Sequence, residues 1–142
     1  MRSANKQTPD DCATSPLLRQ AWISLGLWIA FGILIEGMIG FRTPALLDDP
    51  LRKYLFRLAH AHGTLLNLVL LAGAICRRLD VVGPARSSLS ALRLAVVLLP
   101  LGFLFGGLWH YRDDPGLGIF LVPLGAVLLL FAAIQAGLST RK

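Results

Sequence analysis

The segment LAHAHGTLLNLVLLAGAIC, residues 58–76, decides the fold of this chain because its apolar run is long enough to cross a membrane. An α-helix needs about 20 mainly apolar residues to span the roughly 30 Å hydrocarbon core of a bilayer. Three other segments of the 142-residue chain meet this requirement, at about 20–41, 91–111 and 117–138. The sequence therefore predicts an all-α integral membrane protein with four transmembrane helices.

The composition and the short connections predict a single transmembrane domain over residues 1–142. Charged residues make up 15% of the chain, whereas a soluble domain carries roughly 25%. Residues 1–19 form a polar N-terminal segment without the apolar core of a cleavable signal peptide, so the first apolar segment is interpreted as a retained helix. Because short loops join neighbouring helices, we expect an up-down four-transmembrane-helix bundle.

The basic residues predict the orientation of this bundle. The net charge is +6, but Lys and Arg lie between the apolar segments instead of forming a patch with aromatic residues, so nucleic acid is not an expected partner. Nine basic residues fall on the side of the two termini and five on the other side. Cytoplasmic loops are enriched in Lys and Arg. We therefore expect a multi-pass protein of the inner (plasma) membrane, embedded in the lipid bilayer with both termini cytoplasmic.

Four ionisable side chains within the apolar segments gather at one end of the predicted bundle. Glu36, the only glutamate of the chain, lies near the end of the first helix, His60 and His62 begin the second, and His110 ends the third. Antiparallel packing brings these helix ends to the same, outer side of the membrane. A carboxylate at the depth of Glu36 is costly unless it is turned inward with a partner.

Helical spacing gives these residues different directions. Glu36 lies between two glycines at intervals of four residues, and small residues mark close helix contacts, so Glu36 is expected to face the bundle interior. Gly102 and Gly106 form a second contact pattern of this kind on the third helix. His60 and His62 lie about 200° apart around their helix, so at most one of them is expected to face the centre.

The triplet Asp-Asp-Pro occurs at 48–50 and again at 113–115. Asp caps helix starts and Pro follows turns, so both triplets predict turns or helix starts in which Asp supplies the cap.

Several functions are compatible with the polar cluster. Histidine is a common ligand of haem iron and of transition metals, so His62 and His110 would bind haem, or Glu36, His60, His62 and His110 would supply a metal site. Intramembrane Glu and His also form proton or small-solute pathways, which four helices would build as a homo-oligomer, or a quinol pocket. The same residues would otherwise be structural contacts at the membrane boundary, in a structural or partner-subunit membrane protein without cofactor.

The segment His62-Gly63-Thr64-Leu65-Leu66 resembles the His-Gly-Thr-x-Met stretch in the second transmembrane helix of haem–copper oxidase subunit I. That histidine is an axial ligand of the low-spin haem near the outer side of the membrane, so the resemblance implies haem ligation by His62. It covers about five residues, and Leu66 stands where the family often has methionine. The chain has neither the His-His pair nor the His-Pro-Glu-Val-Tyr segment of the copper centre, so oxygen reduction is not implied.

The sequence contains no nucleophile–base arrangement, phosphate-binding loop or pair of catalytic carboxylates. It therefore favours a binding or structural protein over an enzyme.

Overall fold

The computed structural model describes residues 9–79, 86–112 and 114–139. Four long helices, α1, α3, α4 and α5, pack as an up-down bundle, so the predicted all-α fold is confirmed. In chain order the elements are α1 Pro9–Gly40, α2 Pro44–Leu47, α3 Pro50–Arg78, α4 Arg86–Leu108, a 3-10 helix Leu117–Phe120 and α5 Leu121–Ser139.

Each long helix has the length and hydropathy of a membrane span, over Pro16–Gly40, Pro50–Arg78, Arg86–Leu108 and Leu117–Ser139. Between Arg57 and Arg77, α3 contains no Asp, Glu, Lys or Arg. These roughly 20 residues cover about 30 Å at 1.5 Å per residue, which equals the thickness of a bilayer core. Large apolar side chains such as Leu27 and Ile33 remain 66% and 69% exposed, as a surface that faces lipid requires. The chain is therefore a multi-pass membrane protein by helix length and hydropathy.

α1, α3 and α4 begin before the predicted apolar segments, whereas α4 ends before its predicted end and α5 follows a 3-10 helix. α1 is already helical at Pro9, within the predicted polar N-terminal segment, of which residues 1–8 lie outside the described chain. α3 begins at Pro50 instead of 58, and α4 covers 86–108 instead of 91–111. Hydropathy finds only the part of a helix that lies in lipid, whereas backbone hydrogen bonding continues into the polar turns outside it.

The connection between α1 and α3 confirms one predicted helix start. Asp49 is the N-cap of α3 and accepts a hydrogen bond from the backbone N–H of Arg52 at 2.9 Å, and Pro50 occupies the first turn. At the second triplet, Asp113 lies outside the described residues. Asp114 exchanges backbone hydrogen bonds of 3.1 and 3.2 Å with Tyr111, and a turn is therefore present there.

α3 and α4 form the centre of the bundle. α1 packs on α3, α3 on α4, and α4 on α5. Of the most apolar part of each helix, 50% is buried in α4 and 39% in α3, compared with 17% in α1 and 11% in α5. The two outer helices therefore present most of their surface to lipid, and grooves remain where they meet the central pair.

Glycines set the distance between α4 and the last segment. Gly102 lies against Val122 and Gly106 against Ile119, so the contact predicted from their spacing is confirmed. From the other side, Gly125 of α5 lies against Leu99. Between lipid-facing helices the hydrophobic effect gives no net attraction, so close backbone packing of this kind provides much of the association energy.

Two reciprocal contacts between a ring and a glycine join α1 to α3. The imidazole of His60 lies on Gly32, where an added Cβ would be 2.3 Å from the ring. The indole of Trp28 lies on Gly63, where an added Cβ would also be 2.3 Å from the ring. Each helix thus contributes one ring and one glycine, and this pairing defines the register between them.

We expect Gly32→Ala and Gly63→Ala each to lower the free energy of unfolding by about 1–3 kcal/mol, because the new methyl group has to displace a packed ring. Unfolding in mixed micelles, followed by circular dichroism, measures this. Gly26→Ala is the matched control on α1, since an added Cβ there has nothing within 4 Å; it should be neutral or stabilising by up to about 1 kcal/mol. Equal stability of all three variants would contradict the packing described.

Candidate functional site

The groove between α1 and α3 brings together Glu36, Arg57 and His60 in a cavity of about 560 Å³. The Oε1 atom of Glu36 lies 3.9 Å from Nη2 of Arg57, and the two side chains are 70% and 55% exposed. The remaining lining residues are apolar or glycine: Ile29, Gly32, Ile33, Ile35 and Gly37. The groove therefore has an apolar wall and one charged end.

The expectation that Glu36 faces the bundle interior is wrong. At that level of α1 the inward position belongs to Ile35, which is 2% exposed and packs with Leu46 and Phe56. Successive helical residues are about 100° apart, so an inward Ile35 turns Glu36 toward the edge of the helix. The spacing from Gly32 misled the prediction because positions four apart differ by about 40°.

The ring of His60 is fixed by α1. Its Nδ1 atom lies 2.8 Å from the carbonyl oxygen of Trp28, which can only accept, so Nδ1 carries the proton and donates. In the neutral ring this leaves a lone pair on Nε2, which has no hydrogen-bond partner among the described residues. His60 also lines the groove, so its neutral ring contributes an acceptor nitrogen to this part of the molecule.

Two further polar residues of α3, Thr64 and Asn67, donate hydrogen bonds within the helix, while the buried Oδ1 of Asn67 has no hydrogen-bond partner among the described residues. Thr64 donates from Oγ1 to the carbonyl of His60 at 2.8 Å, and the buried Asn67 donates from Nδ2 to the carbonyl of Gly63 at 2.6 Å. Bonds of this kind let a spanning helix carry polar side chains. They explain why these two residues do not join the site.

His62 points away from His60, toward α4. Its Nδ1 donates to the carbonyl of Leu58 at 2.8 Å, and its ring packs on Phe103 with centroids 5.0 Å apart. The predicted difference in direction between the two histidines is confirmed. His62 occupies a contact between the two central helices, whereas His60 lies against the outer helix α1.

His110 lies just beyond the end of α4, so the prediction that it ends the third helix is wrong. The chain leaves the helix after Leu108, and the N–H of Gly116 turns back to the carbonyl of Gly106 at 3.0 Å. The Nε2 atom of His110 is 2.6 Å from Oδ2 of Asp49, and its Nδ1 atom is 3.1 Å from the carbonyl of Arg112. Both ring nitrogens therefore face acceptors.

Asp49 is the centre of a network that joins both connections on this side of the bundle. It caps α3 and accepts a hydrogen bond from His110. Its Oδ2 atom lies 3.5 Å from Nη2 of Arg52. Arg52 in turn donates to the carbonyl of Gly107 at 3.2 Å and to that of Ala45 at 3.0 Å. The start of α3, the end of α4 and the loop that contains α2 are thereby held together.

The network lowers the pKa of Asp49. Burial is the largest single influence and raises the pKa. The hydrogen bond from the Arg52 N–H, the bond from His110 and the charges of His110 and Arg52 together outweigh it, so the pKa lies below the ordinary 3.8 of an aspartate. Because the folded pKa is depressed, the stabilisation is present above that ordinary value and is lost as the pH falls through the folded pKa.

The four predicted site residues divide into three places. Glu36 and His60 share the α1–α3 groove, His62 packs against α4, and His110 binds Asp49. In the part of the chain that the structure describes, no three His, Cys, Asp or Glu residues are grouped in a way that could hold a metal ion. Haem ligation by His62 and His110 stays a prediction, and His110 would have to give up one of its two bonds for it.

The sequence interpretation missed Asp49, Arg52 and Arg57. Asp49 had a signal, because the Asp-Asp-Pro triplet predicted a cap, but its second partner is about 60 residues away in the chain. In the sequence, Arg57 is one of the five basic residues on the side away from the termini, and its spacing alone indicates no site. Its position opposite Glu36 depends on the register between α1 and α3, which hydropathy does not report.

Comparison with known proteins identifies no relative: no family model, no curated protein and no solved structure matches this chain. Its function is therefore inferred from the contacts within the molecule.

We expect Asp49→Asn to lower stability at pH 7 by about 1–2 kcal/mol, because Asn still caps the helix but removes the negative charge that faces His110 and Arg52. From about pH 5 down to about pH 2 the wild type should lose stability relative to this variant, since only the wild type has the depressed Asp49 to protonate. Unfolding in micelles across this pH range measures the difference. Asp48→Asn, an exposed neighbour, should follow the wild type; parallel pH curves for wild type and Asp49→Asn would refute the role of Asp49.

Proposed function

We propose that the protein binds the hydroxyl-bearing head group of an apolar membrane amphiphile, of which a quinol is the leading class, in the α1–α3 groove. The observation that carries this proposal is the fixed ring of His60. Its Nδ1 donates to Trp28 at 2.8 Å, so its neutral form keeps Nε2 as an acceptor, and His60 lines a groove of about 560 Å³. Ligand pockets are commonly about 300–1,000 Å³.

The lining of the groove matches an amphiphile. Ile29 and Ile33 line its apolar wall, and Glu36 and Arg57 form its charged end. Glu36 is about one turn from the end of α1 at Gly40, which puts the ion pair near the boundary between hydrocarbon and head groups. An apolar tail would then lie along the isoleucines with the polar group toward the ion pair.

The chemistry of the polar end favours a ligand that donates hydrogen bonds. Nε2 of His60 and the carboxylate of Glu36 are both acceptors, and a quinol carries two hydroxyl donors on one flat ring. The guanidinium of Arg57, 3.9 Å from Glu36, balances the carboxylate charge and can donate to a ligand oxygen.

We expect purified protein in detergent to bind decylubiquinol, kept reduced without oxygen, in a saturable manner measured by isothermal titration calorimetry. The dimethyl ether of the same quinol should bind about five- to thirtyfold more weakly, because it cannot donate to His60 or Glu36 and each hydrogen bond contributes roughly 1 kcal/mol. Glu36→Gln, at an exposed position, should weaken quinol binding about fivefold. His60→Phe, which keeps a flat ring on Gly32, should weaken it by a similar factor.

Lys53→Gln is the matched control, because it removes a charge one turn from Arg57 without altering the groove lining. Its affinity should equal that of the wild type. Equal affinity for the quinol and its dimethyl ether would show that tail burial alone drives binding and would overturn the proposal. Wild-type affinity in both the Glu36 and His60 variants would place the ligand elsewhere.

We also propose that the groove opens toward the outer side of the membrane, with both termini cytoplasmic. The support is the excess of Lys and Arg on the side of the termini, nine against five. Alkaline phosphatase fused after residue 142 should be inactive in a bacterial host, since the enzyme folds only outside the cytoplasm, and the same enzyme fused after Arg112 should be active. The reverse pattern would invert the orientation.

A further inference from the structure

A second groove runs between α1 and α4, away from the His60 groove. Its apolar part has a volume of about 300 Å³, and a wider part of about 460 Å³ continues toward the start of α4. The two parts are continuous because Ser24, Leu27 and Val97 line both. The apolar part is otherwise lined by Trp28, Phe31, Val96, Leu101 and Leu104.

The wide end of this groove is cationic. Arg19 and Arg93 line it, both are exposed, and among the described residues no carboxylate belongs to the lining. Arg93 is oriented by Gln20: its Nε donates to Oε1 of Gln20, and the amide of Gln20 approaches the carbonyl of Arg93 at 3.5 Å. Holding Arg93 through Nε leaves its two terminal amino groups available to an anionic oxygen.

The length of the groove corresponds to one leaflet. Arg19 and Phe31 are about 12 residues apart on α1, which is about 18 Å at 1.5 Å per residue. Half of the hydrocarbon core is about 15 Å thick. A molecule with its charged group at Arg19 would therefore reach the middle of the bilayer at Phe31.

We propose that this groove is a binding site for an anionic phospholipid. The phosphate lies between Arg19 and Arg93, and one acyl chain follows the apolar part past Leu27 to Phe31. Guanidinium groups recognise phosphate through paired, charge-assisted hydrogen bonds. The lipid comes from the leaflet on the side of the two termini, which is the side with more basic residues. This site is independent of the quinol proposed for the α1–α3 groove.

The test is lipid retention by the full-length protein in detergent, measured by native mass spectrometry after incubation with equal amounts of phosphatidylglycerol and phosphatidylcholine that carry the same acyl chains. We expect phosphatidylglycerol to be retained at one copy per chain, at least tenfold over phosphatidylcholine. Each basic residue near a membrane surface contributes roughly a fivefold change in anionic lipid binding. Arg19→Gln should thus reduce retention about fivefold, and Arg19→Gln with Arg93→Gln about twentyfold.

Two further variants separate a built site from general attraction. Arg78→Gln removes an exposed charge from the end of α3, outside the groove lining, and should retain lipid like the wild type. Leu27→Trp fills the groove while keeping both arginines and should lower retention at least fivefold. Soluble glycerol 3-phosphate, which has the phosphate without the chain, should bind far more weakly than the lipid.

Three results would overturn the proposal. Equal retention of the two lipids would remove the role of the arginines, and unchanged retention in Leu27→Trp would remove the role of the groove. A second copy of the chain retained in place of lipid, and lost in Leu27→Trp, would identify the groove as a helix-docking surface instead.

Discussion

The contact on which the other features depend is the exchange of rings and glycines between α1 and α3. His60 lies on Gly32 and Trp28 lies on Gly63, so each ring packs directly on the backbone of the opposite helix. In lipid the hydrophobic effect does not hold helices together, and association relies on close packing and on polar contacts. This contact provides both, because the His60 ring also donates to the Trp28 carbonyl.

The register set by this contact assigns the directions of the other polar residues. With His60 directed at α1, a residue two positions later is rotated by about 200° and faces α4, where His62 packs on Phe103. With Gly32 under the His60 ring, Ile35 faces inward and Glu36 reaches the edge of α1 opposite Arg57. One packing arrangement thus separates the histidines and creates the polar end of the α1–α3 groove.

α1 has a groove along each of its sides because it covers the central pair incompletely. One groove, toward α3, has acceptors and an ion pair at its polar end; the other, toward α4, has two arginines. At the ends of the spans the molecule relies on charge and hydrogen bonds instead of ring packing. There the Asp49 network fixes the loops through charge and hydrogen bonds, which are effective at the boundary because backbone groups freed at the helix ends need partners.

The sequence by itself determined the number of spanning helices, their antiparallel order and the Asp cap of α3. These properties depend on local composition, since a bilayer requires about 20 apolar residues per span and a helix start requires a side-chain acceptor. Only the tertiary structure decided which polar residues meet. Glu36, His60, His62 and His110 lie at the same end in the sequence interpretation, yet the structure places them in three environments. Their separation depends on rotations of about 100° per residue and on which glycine accepts which ring, and hydropathy carries no information about either.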